Sequence, residues 1–236
     1  MNERSFVGNQ RQADIEAEQA RFITKVFGWM AFALAITGGV AFLVASSPAL
    51  LQFIFGNRFV FFGLIIGELI MVGYLSAAVR RMSAATATMV FLLYAMLNGL
   101  TLSFIFLVYT ATSITGTFLI TAGTFAAMSA YGYFTKNDLT KAGSLLFMAL
   151  IGLVIASAVN IFLRSPMMYW IITYAGILIF VGLTAYDTQK IKEMNIIGNE
   201  GTEEDHKEAI MGALTLYLDF INLFLYLLRL FGRSND

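Results

Sequence analysis

The chain has 236 residues, of which 58% are hydrophobic and 13% charged, with basic and acidic side chains balanced to zero and a mean hydropathy of +0.75. So few charges cannot solvate a globular surface, where about a quarter of residues are charged, and zero net charge supplies no field to steer the chain onto nucleic acid. With no cysteine and a single histidine, His206, disulfides, thiol catalysis, thiolate metal sites and histidine metal clusters are excluded.

The first residues mix both signs (Glu3, Arg4, Arg11, Asp14, Glu16, Glu18) and lack an apolar core stretch. Residues 1–21 are therefore expected to form a short cytoplasmic tail and not a cleaved signal peptide. Residues 22–232 read as an all-α domain of seven transmembrane helices. Its apolar runs fall at roughly 22–46, 58–79, 86–109, 114–134, 143–163, 169–188 and 208–230, each near the ~20 residues that cross a bilayer. In lipid every backbone polar group must be satisfied within its own segment, which makes helices the solution.

Turn chemistry or charge separates the runs: Ser46-Ser47-Pro48, Arg80-Arg81, Thr110 to Ser113, Lys136-Asn137-Asp138 and Arg164-Ser165-Pro166. Leu50 to Phe55 is apolar enough to lie in the membrane interface. The one long polar stretch, Lys190 to Glu208, precedes the last run. Gly63 and Gly67 on the second run and Gly176 and Gly182 on the sixth are the small residues that let helices approach in lipid.

Basic residues set the orientation. With the N-terminus inside, Arg4, Arg11, Arg21, Lys25, Arg80, Arg81, Lys136, Lys141, Lys190, Lys192 and Lys207 fall on the cytoplasmic side. Only Arg58, Arg164, Arg229 and Arg233 fall outside. The positive-inside rule selects this topology, with an external C-terminus.

Three acids interrupt the apolar runs: Glu68, Asp187 and Asp219. An ionisable group within a span costs several kcal/mol if it faces lipid, which makes each a functional candidate. On the seventh run Thr215, Asp219, Asn222 and Tyr226 recur at spacings of four, three and four and so share one helix face. Thr and Asn there also suit plain interhelical hydrogen bonding; a carboxylate must be protonated or paired to stay buried. Asp187 shares a face with Thr184 but lies near the inner boundary, where it could also be solvated, and its depth reads shallower than that of Asp219. Glu68 is mid-span, with Asn98, Asn160 or a backbone carbonyl as structural partners. Arg80 and Arg81 read as topogenic charges, or as groups reaching Asp187 across the helix ends.

The segments Gly182-Leu-Thr-Ala-Tyr-Asp-Thr-Gln-Lys-Ile-Lys192 and Gly212-Ala-Leu-Thr-Leu-Tyr-Leu-Asp-Phe-Ile-Asn-Leu-Phe-Leu-Tyr-Leu-Leu-Arg-Leu-Phe-Gly232, with Tyr131 to Leu139 in support, resemble the Bax inhibitor-1 (transmembrane Bax inhibitor motif) family in its bacterial YccA-like branch. That resemblance implies a last helix wrapped by the other six, in a cell inner membrane. It implies a pH-sensing aspartate pair, matched by Asp187 and Asp219, in a calcium-permeable leak pathway. It further implies an arginine latch on the pair, matched best by Arg80, an acid inside the second helix, Glu68, and an arginine near the end of the last, Arg229. The stretch Met194 to Glu208 is long and acidic for the family.

Two carboxyls within hydrogen-bond range cannot both ionise cheaply and so share a proton, titrating as a unit. Calcium, a hard cation, suits such oxygen ligands, as a permeant ion near Asp187 and Asp219 and not as a resident cofactor; no cofactor is expected. An intramembrane aspartyl protease would also use a proton-sharing dyad. Tyr186-Asp187 fits its first half, but Asp219 lacks flanking glycine and no Pro-Ala-Leu follows, so no enzyme is expected. The resemblance to YccA-like proteins also implies a third reading, a regulatory protein that binds a membrane-bound ATP-dependent protease, with the N-terminal tail as the handle.

Overall fold

The computed structural model describes residues 3–235, with side chains from residue 12 onward. Among the described residues nine α-helices follow in order: α1 (Glu3–Ala45), α2 (Pro48–Phe55), α3 (Arg58–Ala78), α4 (Ala84–Leu102), α5 (Ile105–Val108), α6 (Ala111–Phe134), α7 (Thr140–Leu163), α8 (Pro166–Met194) and α9 (Glu203–Phe231). Seven of them are long and apolar enough to cross a membrane; α2 and α5 are not among these. Among the described residues the only β pairing is an isolated bridge between Tyr109 and Ser234, which ties the C-terminal end to the turn after α5.

Starts and stops follow local chemistry. Ser47, Ser83, Thr110, Ser165 and Thr202 each accept an N–H of the first turn with the side chain, satisfying donors that have no partner within the helix. Pro48 and Pro166 occupy the first helical positions, where a missing N–H costs nothing. At the end of α7, Arg164 adopts a left-handed φ of 50° and its N–H returns to the Asn160 carbonyl. Ser103 ends α4 early, its hydroxyl donating to the Leu100 carbonyl at 2.6 Å, so the third run breaks into α4 and α5.

Two expectations change here. α1 runs unbroken through residue 21, so no break in structure divides tail from span; Arg4 and Arg11 lie outside the described side chains. The long polar stretch shrinks to residues 195–202, because α8 continues to Met194 and α9 begins at Glu203. Leu50 to Phe55 lies on the short helix α2.

α9 is the central helix. Of its most apolar stretch 61% is buried, against 6% for α3 and 6% for α7. α1, α4, α6 and α8 surround it, while α3 leans on α4 and α7 on α8. The wrapping is thus mainly by four helices, not six. Lipid is as apolar as a leucine core, so close packing and interhelical hydrogen bonds hold such a bundle together. At the α1–α4 crossing Gly99 leaves no room for a Cβ beside the Thr37 carbonyl. There Thr37 donates to Ala95 O at 2.9 Å and meets the buried Tyr217 hydroxyl at 2.7 Å. Tyr217 in turn meets the rings of Phe91 and Tyr94 edge-on. The α6–α8 crossing is as tight, with Gly132 against the backbone of Ala185. Gly63 and Gly67 face open space, so they serve no packing within the described chain.

Candidate functional site

The α8–α9 interface carries the site. α8 supplies Leu183, Tyr186, Asp187 and Lys190 to a cavity, and α9 supplies Thr215, Leu218, Asp219 and Asn222. α7 forms the third wall through Thr140, Gly143, Ser144 and Phe147, and the volume is about 720 Å³. The cavity exists because α7 is pinned to α8 and not to the inner half of α9. Gln189 accepts the Leu139 N–H and donates to the Asn137 carbonyl, fastening the start of α7. Gly143 lies directly under the Tyr186 ring. Beyond the cavity, Leu153 joins Leu223 and Leu227 in one buried apolar cluster.

Asp219 is 5% exposed, whereas Asp187 is half-buried. The two carboxyls lie side by side, close enough to hydrogen-bond to each other. Oδ2 of Asp219 is buried and receives no N–H or O–H donor. Carboxylate oxygens only accept, so a bond between the two acids requires a proton on one of them. Neighbouring hydroxyls and amides are turned elsewhere: Thr215 donates to Met211 O at 3.0 Å and Asn222 to Leu218 O at 2.8 Å. Lys190 lies against the Tyr186 ring, 5.7 Å from its centre, and forms no ion pair with Asp187.

The apparent mismatch in depth is resolved by the helix ends. From the pair inward, α8 continues for seven residues to Met194 and α9 for sixteen to Glu203. At 1.5 Å per residue α9 reaches about 13 Å farther, and residues 195–202 bridge that offset.

The other sequence candidates lie apart from the pair. Arg80 and Arg81 are exposed, and Arg80 lines a separate cavity with Glu204, Lys207, Glu208 and Met211. Met211 is about 12 Å along α9 from Asp219, so the latch contact is not made in this structure. Glu68 accepts the Thr101 hydroxyl at 2.7 Å across the α3–α4 contact. Neither expected asparagine serves it: Asn98 donates to the Tyr94 hydroxyl and Asn160 accepts the Ser165 N–H. Arg229 is exposed at the outer end of α9, between the rings of Tyr169 and Tyr226. Among the described residues no three His, Cys, Asp or Glu side chains gather into a metal cluster. Two carboxyls fall short of the six to eight oxygens calcium takes.

Sequence reasoning missed Thr101, whose signal was a hydroxyl three residues after Asn98. It also missed Asp205, which is 4% exposed and bound by Lys25 Nζ at 2.9 Å; Thr202 three residues earlier was the capping signal.

The sequence profile of the family described as Inhibitor of apoptosis-promoting Bax1 matches residues 19–236. Inner membrane protein YbhL of Escherichia coli strain K12 is 54% identical over 212 residues, which cover 89% of this chain and 91% of that protein. An uncharacterized protein of Borreliella burgdorferi is 48% identical, covering 92% and 94% of the two chains. One of Rickettsia prowazekii is 45% identical, covering 92% and 91%. The profile match takes in both aspartates, and with seven apolar helices around them this multi-pass membrane protein belongs to the Bax inhibitor-1 family.

Proposed function

We propose that the protein is a pH-sensitive cation leak pathway of the inner membrane, with calcium as a permeant ion and the Asp187–Asp219 pair as its gate. The observation that carries this reading is the buried Oδ2 of Asp219, which has no donor and faces a second carboxyl across a shared cavity. With one shared proton the pair is a hydrogen-bonded unit bearing a single charge; without it, two like charges sit side by side in a water-poor interior. That change acts on the contact between α8 and α9, the element that would switch. α7 touches the inner half of α9 least, so it is the wall that can move. The N-terminus faces the cytoplasm, as the distribution of Lys and Arg requires.

Calcium flux in proteoliposomes stepped from about pH 6 to pH 8 tests the reading, with Asp187→Asn and Asp219→Asn alongside. Flux that changes with pH in the wild type and is flat in both variants is the expected result. Indifference of the wild type to pH would remove the gate.

A second reading rests on α1. Its 43 residues span about 64 Å, twice the ~30 Å hydrocarbon core, which leaves a projecting polar helix as a handle for a membrane-bound ATP-dependent protease. Removing residues 1–20 should abolish effects on such a protease and leave ion flux intact.

A further inference from the structure

Among the described residues the cavity beside the acid pair is lined by four titratable side chains: Tyr186, Asp187 and Lys190 from α8 and Asp219 from α9. α7 contributes only hydroxyls, a glycine and apolar side chains to the lining, and α1 and α6, which also pack on α8 and α9, bring none. Asp187 feels the charges of Lys190 and Asp219, and Asp219 that of Asp187. Lys190 is thus the one cation on that lining. Other bases at this end are engaged elsewhere. Lys192 donates to the Tyr133 carbonyl at 3.1 Å, Lys25 is bound to Asp205, and Arg80 lines the separate cavity.

Lys190 follows Asp187 by three residues and is exposed. Side chains at that spacing are neighbours on a helix surface, and a four-carbon stem lets the ammonium swing. Yet it stands over the Tyr186 ring, 5.7 Å from its centre, and makes no ion pair with Asp187. Gly143 of α7 seats that ring, with no room for a Cβ between them. A cation–π contact at an exposed site is weak, whereas a charge-assisted hydrogen bond to a carboxylate is strong. While the two acids share a proton, their single charge is spread over both. Once it is lost, each carries a full charge in a water-poor interior. The balance for Lys190 then tips from the ring to Asp187.

We propose that Lys190 is the counter-ion of the ionised pair, resting on Tyr186 while the carboxyls share a proton and swinging to Asp187 when they lose it. Lys190 thereby sets the pH at which the pair switches. Its effect on flux rests on the gate proposed above; the swing itself needs only the two carboxyls and the ammonium.

Two titrations of the full chain, from about pH 5 to pH 9, test this. One follows the infrared absorption of the shared carboxyl proton in calcium-free detergent, assigned by its change in Asp187→Asn and Asp219→Asn. The other follows calcium flux in proteoliposomes. Without the ammonium the doubly charged form loses its partner, so Lys190→Gln should move both midpoints up by about one pH unit, the lower end for an opposite charge within reach. Lys190→Arg keeps the charge and should hold both midpoints near the wild-type value, which a purely structural role would not require. Tyr186→Leu frees the ammonium and should move both slightly down; no shift there overturns the resting place on the ring. An infrared midpoint unchanged in Lys190→Gln overturns the counter-ion, whatever the flux does. An infrared midpoint that moves while wild-type flux is flat in pH keeps the counter-ion and removes the gate.

Discussion

Asp205 and Asp219 stand on the same helix and are equally hidden, at 4% and 5% exposure, yet their surroundings are opposite. Asp205 receives Lys25 Nζ and the Gly201 N–H, each at 2.9 Å. Asp219 meets only another acid, and one of its oxygens has no donor at all. Burial alone therefore does not mark a carboxylate as a switch. The first is neutralised by a cation and a backbone donor and holds the start of α9 against α1. The second has neither a cation nor a backbone donor at that oxygen and, in the function proposed above, shares a proton with Asp187.

The sharpest way to break this contrast is Asp219→Asn. The amide keeps the shape and removes the shared charge, so the change of cation flux between pH 6 and 8 should vanish while thermal stability stays equal or rises. A flux that still follows pH would move the sensor elsewhere. Next comes Asp205→Ala, which strips Lys25 of its partner. Breaking a buried pair costs about 3–5 kcal/mol, and with the Lys25 side chain 31% exposed the expected loss is nearer ~2 kcal/mol after screening. Thermal unfolding in detergent reads it, and an unchanged midpoint would make the pair ornamental. Glu68→Gln should cost less, under about 1 kcal/mol, since an amide oxygen still accepts from Thr101. Its pH response should survive. Loss of that response would spread sensing over both acid sites.

The smallest effect belongs to the exposed clasp between Arg21 and Glu200, at 2.7 and 2.9 Å. The Arg21 hydrogen bond holds the Glu200 carboxyl below its ordinary value of 4.5. Its contribution is therefore complete above that value and is lost as pH falls through the lowered one. Glu200→Gln should shift the melting midpoint only slightly at neutral pH. The shift should shrink in high salt and be absent below the acid transition.

Legibility followed the range of the interaction. The starts of α2, α6 and α8 fall at the Ser-Pro and Thr residues that read as turns, because a cap acts within one turn. The stripe Thr215, Asp219, Asn222 was readable from helical period, and the first three of its four members line the cavity. Arg80 was misjudged as near the pair because charge and helix-end position say nothing about depth along a neighbouring helix. Thr101 went unnoticed as the partner of Glu68 since a threonine in a span usually bonds its own helix. The unbroken α1 was hidden by its polar start, which reads as a tail although Gln, Glu and Ala are good helix formers.

The linear chain determined that this is a helical protein of seven apolar spans with carboxylates inside, because hydrocarbon length and backbone satisfaction leave no other solution for such runs. Which acids meet was decided only by the bundle. Asp187 and Asp219 differ by nine residues in their distance from the helix ends, and they become neighbours because α9 starts farther inward than α8 stops. Depth of one helix relative to another is a property of packing, which no local pattern of residues encodes.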